Sequence, residues 1–127
     1  MNDPYALTPG PGLEALGVPM SHALTKNEGE RVNATWGVRN NRDTAALVVI
    51  QLDVGNQNLM SIAAQVPSNG GTWGFGINLQ LAQPGGQVYP GILRLREMSP
   101  QGTFLGTIAR HDFTVLVNRS VAQRTKA

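Results

Sequence analysis

Residues 35–54 read TWGVRNNRDTAALVVIQLDV, and their patterning decides the fold class. Val32, Ala34, Trp36 and Val38 alternate with polar positions, the alternation stops at Asn40, Asn41, Arg42 and Asp43, and a nearly continuous apolar run follows. A side-chain period of two on either side of a polar break is strand, turn, strand. In the second of these strands Ala46, Val48, Ile50, Leu52 and Val54 form one face. Leu47 and Val49 on the other face are apolar too, which predicts a central strand covered on both sides at its start.

The same pattern recurs toward the C-terminus. Turn signals separate strand-like segments near 30–39, 44–54, 59–66, 72–81, 87–97 and 103–117, with no helical period among them. Six or seven strands at this spacing predict an all-β sandwich or barrel. In 72–81, Trp73, Phe75, Ile77, Leu79 and Leu81 share one face, while Gly74 and Gly76 leave the other without side chains. Such a bare face accommodates a bend or the close approach of another backbone. Ser99-Pro100-Gln101-Gly102 is a hairpin turn, and Arg110-His111-Asp112 is expected to mark a bulge in the last strand or its crossing between sheets.

Residues 1–26 are different. Prolines at 4, 9, 11 and 19 and glycines at 10, 12 and 17 leave no sustained period, so the segment reads as an extended arm with room for one helical turn between Gly12 and Gly17. Fully extended, such an arm reaches on the order of 85 Å, enough to clasp a neighbour. The expected organisation is an arm over 1–26, a sandwich over 27–118 and a short polar tail over 119–127. The arm's partner-binding candidates are Pro4, Tyr5, Leu7, Leu13 and Leu16.

Composition narrows the function classes. Ten Lys and Arg against eight Asp and Glu are scattered along the chain, which gives no basic footprint for nucleic acid. Only 14% of residues are charged, and a surface built from neutral polar groups fits one partly covered by partners. Cysteine is absent, and with it disulfides and thiolate chemistry. The N-terminus lacks a basic region followed by an apolar one, and no run approaches the roughly 18 apolar residues that span a bilayer, so synthesis in the cytosol without membrane insertion is expected.

Residues able to do chemistry are few. His22, His111 and Asp112 are the one set that resembles a metal site, and a local His111–Asp112 pair is the simpler expectation. No serine sits in a Gly-x-Ser-x-Gly turn, and Glu28 and Glu30 read as a solvated strand entry. The glycine-rich stretches 68–71 and 84–86 precede no helix and carry no lysine, so they are loops and not phosphate cradles. No catalytic residue, cofactor or metal is expected. Trp36 and Trp73 fall on apolar strand faces and are assigned to the core, which leaves Tyr89, Arg94 and Arg96 as a possible ligand platform.

These elements resemble bacterial immunoglobulin-like adhesion modules of the CARDB type over about residues 28–118, and the resemblance implies an all-β, immunoglobulin-like β-sandwich of six or seven strands. The similarity rests on Trp36-Gly37-Val38-Arg39-Asn40 followed by a polar turn and an apolar strand, then on Pro84-Gly85, Tyr89-Pro90-Gly91 and Phe113-Thr114-Val115 near the close. A small module of this kind with arms at both ends is in turn similar in architecture to tailed-phage virion proteins. The resemblance implies a non-enzymatic capsid decoration or cement protein, made in the host cytoplasm, present in many copies, and bound to major capsid or other virion subunits and to itself. A carbohydrate- or host-binding module of a phage tail or bacterial surface assembly is the alternative.

Overall fold

The computed structural model describes residues 12–119, which form eight strands and no helix. They are β1 (Leu13–Leu16), β2 (Ala23–Asn27), β3 (Arg31–Asn40), β4 (Ala46–Val54), β5 (Gln57–Val66), β6 (Gly71–Gln80), β7 (Gln87–Met98) and β8 (Phe104–Asn118). Two sheets face each other like the halves of a sandwich, one of three strands in the order β1-β3-β6 and one of five in the order β2-β8-β7-β4-β5. Every pairing is antiparallel except β2 with β8.

Strand alternation builds the core directly. Val32, Ala34, Trp36 and Val38 of β3 are buried, as are Val48, Ile50, Leu52 and Val54 of β4. Leu93 and Leu95 of β7 and Phe113, Val115 and Val117 of β8 meet them from the same interior layer. Gly91 faces Phe113 across the β7–β8 pairing, and a Cβ at that position would overlap the aromatic ring. Only glycine leaves room for this ring against the backbone.

The segment expected to be a free arm supplies two strands. Leu13–Leu16 pairs with Asn40–Gly37 of β3, and no helical turn forms between Gly12 and Gly17. The chain then changes sheets around Gly17, which has a φ of 75°, and Ala23–Asn27 runs parallel to the end of β8. The Trp36 indole nitrogen donates to the Gly17 carbonyl at 3.1 Å and holds this crossover against the core. Strands of four and five residues between proline and glycine breaks are too short to display a period, and the pairing partners alone make them strands.

Two further expectations differ from the structure. The irregularities in the β7–β8 pairing fall between Leu95 and Arg96 and between Glu97 and Met98, opposite residues 104–109 and not at Arg110-His111-Asp112. His111 therefore stays in phase with Phe113 and points inward, whereas Leu105 is exposed. Trp73 lies on the core-facing side of β6, opposite the fully buried Val38, yet remains 46% exposed. It sits on the last strand of the smaller sheet, where no further strand among the described residues covers it.

Candidate functional site

The five-stranded sheet ends at β5 and the three-stranded sheet ends at β6, and these two edges lie next to each other on one side of the molecule. On β6 the Leu81 amide donates to the Glu30 carbonyl at 2.9 Å, which sets the phase of the ladder. Leu79, Ile77, Phe75 and Trp73 bond to β3, so the amides and carbonyls of Thr72, Gly74, Gly76 and Asn78 are directed to the open side. One of them is engaged from within, since Arg31 donates to the Asn78 carbonyl at 3.3 Å.

The same reasoning applies to β5. The Gly55 amide donates to the Pro90 carbonyl, which turns the odd-numbered positions of β4 toward β7 and the even-numbered ones toward β5. Ile62 and Ala64 therefore bond to β4, and Ser61, Ala63 and Gln65 present their backbone groups outward. Side chains at the outward positions of both edges are small or neutral, and among the described residues nothing lies within 4 Å of a Cβ built at Gly74 or Gly76. Ile62, on the core-facing side opposite the buried Ile50, is 38% exposed because the smaller sheet stops short of it.

Neither edge carries a charged residue. The whole stretch from Val54 to Leu93 contains no Asp, Glu, Lys, Arg or His, a signal present in the sequence and more telling than any single motif in it. Free edges are usually blunted by lysine, proline or an interrupting bulge. Within Gly71–Gln80 none of these occurs.

The expected ligand platform is divided by the structure. Tyr89 is half-buried, packs against the core and donates its hydroxyl to the Pro84 carbonyl at 2.7 Å. It lines a hollow of about 250 Å³ with Val54, Leu59 and Gln83. Arg94 belongs to a different hollow of about 320 Å³, lined also by Gln51, Asp53, Asn56, Asn58 and Pro90. Its guanidinium lies 2.8 Å from the Asp53 carboxylate. Arg96 donates to Gln51 and stacks over the Phe104 ring at 4.5 Å, a cation–π contact.

Other ionised groups are joined in structural pairs. Arg42 forms a bidentate pair with the buried Glu97 at 2.6 and 3.0 Å, and these hydrogen bonds raise the arginine pKa above its ordinary value. Glu14 and Arg39 pair across β1 and β3, and Arg110 pairs with Asp112. Asp112 is thereby engaged away from His111, whose ring stacks on His22 at 4.2 Å and meets Trp36 edge-on. The His22 ring nitrogen Nδ1 lies 2.8 Å from the Asp112 carbonyl, so the pair fastens the β1–β2 crossover to β8. Among the described residues no group of three or more His, Cys, Asp or Glu could hold a metal ion. Glu28 and Glu30 are not merely solvated, since Glu28 accepts from the Gly85 amide at 2.6 Å and Glu30 from the Asn27 amide at 2.7 Å.

Of the arm candidates, Pro4, Tyr5 and Leu7 lie outside the described residues. Leu13 and Leu16 belong to β1, and a Cβ at Gly37 would lie 3.3 Å from the Leu16 side chain across the pairing. They contribute to the sandwich itself. No helix of the described residues is long and apolar enough to cross a membrane.

No family model and no curated protein matches the chain. Among solved structures it is similar to WR4, a C. elegans MSP family member, at 13% identity over 73% of this chain and 91% of that chain, with a TM-score of 0.36.

Proposed function

We propose that the chain is a non-enzymatic structural subunit, an immunoglobulin-like module that stabilises a larger protein shell, as a decoration or cement protein does in a tailed-phage virion. The strand order supports the immunoglobulin-like reading, because the first strand is divided between the two sheets and its second half runs parallel to the last strand. The observation that carries the functional reading is the open side of the sandwich. Two neighbouring edges offer uncharged, outward-turned backbone groups, while Arg42 is joined to Glu97 and Arg94 to Asp53. Edge pairing of this kind gives affinity through main-chain hydrogen bonds and needs no catalytic group.

Size-exclusion chromatography with light scattering, run on the full chain over a wide concentration range, tests the reading. A defined oligomer is expected, and a chain that stays monomeric at every concentration would contradict it. One feature favours a second reading, a carbohydrate- or host-binding module: the hollow around Gln51, Asn56, Asn58 and Arg94 offers several planar polar groups beside Pro90. Binding on a glycan array that Asn58→Ala abolishes would support this alternative.

A further inference from the structure

We infer that the open side is a strand-accepting slot, and that its occupant is the N-terminal segment Tyr5–Thr8 of a second copy of this chain. This rests on the structural-subunit reading and adds to it the acceptor, the donor and the face that each uses.

The slot follows from the unequal sheets. Three strands face five, so the core-facing side of β5 extends past β6, leaving Ile62 and Trp73 incompletely covered at the same edge. One more strand beside β6 would bond to the outward amides and carbonyls of Thr72, Gly74 and Gly76 and lie over Ile62. A single extended segment fits this geometry. A second β6 edge does not, because the partner's own β5 would compete for the space that the first β5 occupies.

The donor is identified by charge and by place. Residues 4–13 contain no ionisable side chain other than Tyr5, which matches an uncharged edge, and Tyr5 and Leu7 fall on one face of an extended segment. Residues 120–127 carry Arg124 and Lys126, and the chain leaves toward them at the other end of the sandwich, where Arg119 passes Gly85. The arm joins at Gly12, whose carbonyl accepts from the Asn41 amide at 2.7 Å. The β5–β6 turn is at this same end, with Gly70 donating to the Asn40 carbonyl and Asn69 to that of Arg42.

Reach assigns the donor to a neighbour. From β1 across β3 and β6 to the slot is three strand spacings, about 14 Å. The four Cα-to-Cα steps from Thr8 to Gly12 span at most about 14 Å, before any rise over the loops at 40–42 and 68–70. A chain filling its own slot would therefore spend the arm on the crossing, whereas a neighbour's arm arrives without it.

The chain has no cysteine, so engineered pairs report cleanly. Chains carrying Leu7→Cys are mixed with differently tagged chains carrying Ile62→Cys and oxidised. The expected result is a disulfide between the two tags, absent when Val18→Cys, an exposed position away from the slot, replaces Ile62→Cys. In parallel, Gly74→Pro removes an outward amide at a position where a strand edge tolerates proline, and is expected to shift the oligomer to monomer with the circular dichroism unchanged. A cross-link no stronger than the Val18 control, an intrachain disulfide in the double variant, or an oligomer that survives Gly74→Pro would overturn the slot while leaving the structural-subunit reading in place. An unmodified chain that never assembles would remove that reading itself.

Discussion

Gly91 and Gly74 are both strand glycines, and the structure gives them opposite meanings. Gly91→Ala drives a methyl into the Phe113 ring, and overpacking of this kind costs about 1–3 kcal/mol. Gly74→Ala meets open space at a φ outside the left-handed region, so it is expected to leave stability unchanged or raise it by about 0.5 kcal/mol through the unfolded chain. Urea unfolding of the two variants separates these outcomes, and equal destabilisation would mean that the two faces are misassigned. Glu97→Ala removes both hydrogen bonds that this buried carboxylate accepts from the Arg42 guanidinium and should cost about 1–3 kcal/mol, read by urea unfolding. Individual polar residues were the least legible part of the sequence. His111 beside Asp112 invites a local pair, but alternation turns one inward to His22 and the other outward to Arg110, partners far away in the chain or set by side-chain direction.

Long strands were legible wherever a period of two had room to repeat. β3 through β8 were readable within a few residues of their ends because each carries nine or more residues and a recurrent apolar face. β1 and β2 were not, since their identity comes from pairing with β3 and β8 and not from their own composition. The bulges opposite residues 104–109 were hidden for a similar reason, because a one-residue slip leaves no compositional trace. The β1–β2 crossover offers a test at this scale. Trp36→Phe removes the hydrogen bond to the Gly17 carbonyl while keeping most of the packing, so it should cost about 1 kcal/mol. Limited proteolysis should then cut first between residues 17 and 22, and cleavage elsewhere would show that the bond does not hold this segment.

Across the whole molecule, the distribution of charge is the clearest pointer to function. The uncharged stretch from Val54 to Leu93 covers the neighbouring β5 and β6 edges, and the expected arm partner is uncharged as well. Assembly through such surfaces depends on backbone hydrogen bonds and apolar burial, so the association constant should change little between low and physiological salt. Steep weakening by salt, measured by sedimentation, would point instead to the charged outer surfaces. The open side was partly legible in advance, through Gly74 and Gly76 and the low charge, but its location required the strand order, which no local pattern encodes.

Amide hydrogen exchange of the full chain, compared between dilute and concentrated samples, tests the central claim most directly. Assembly is predicted to slow exchange at Thr72, Gly74 and Gly76 while leaving the already paired amides of β7 and β8 unchanged. Exchange at these three amides that stays equally fast once the chain has assembled would contradict it.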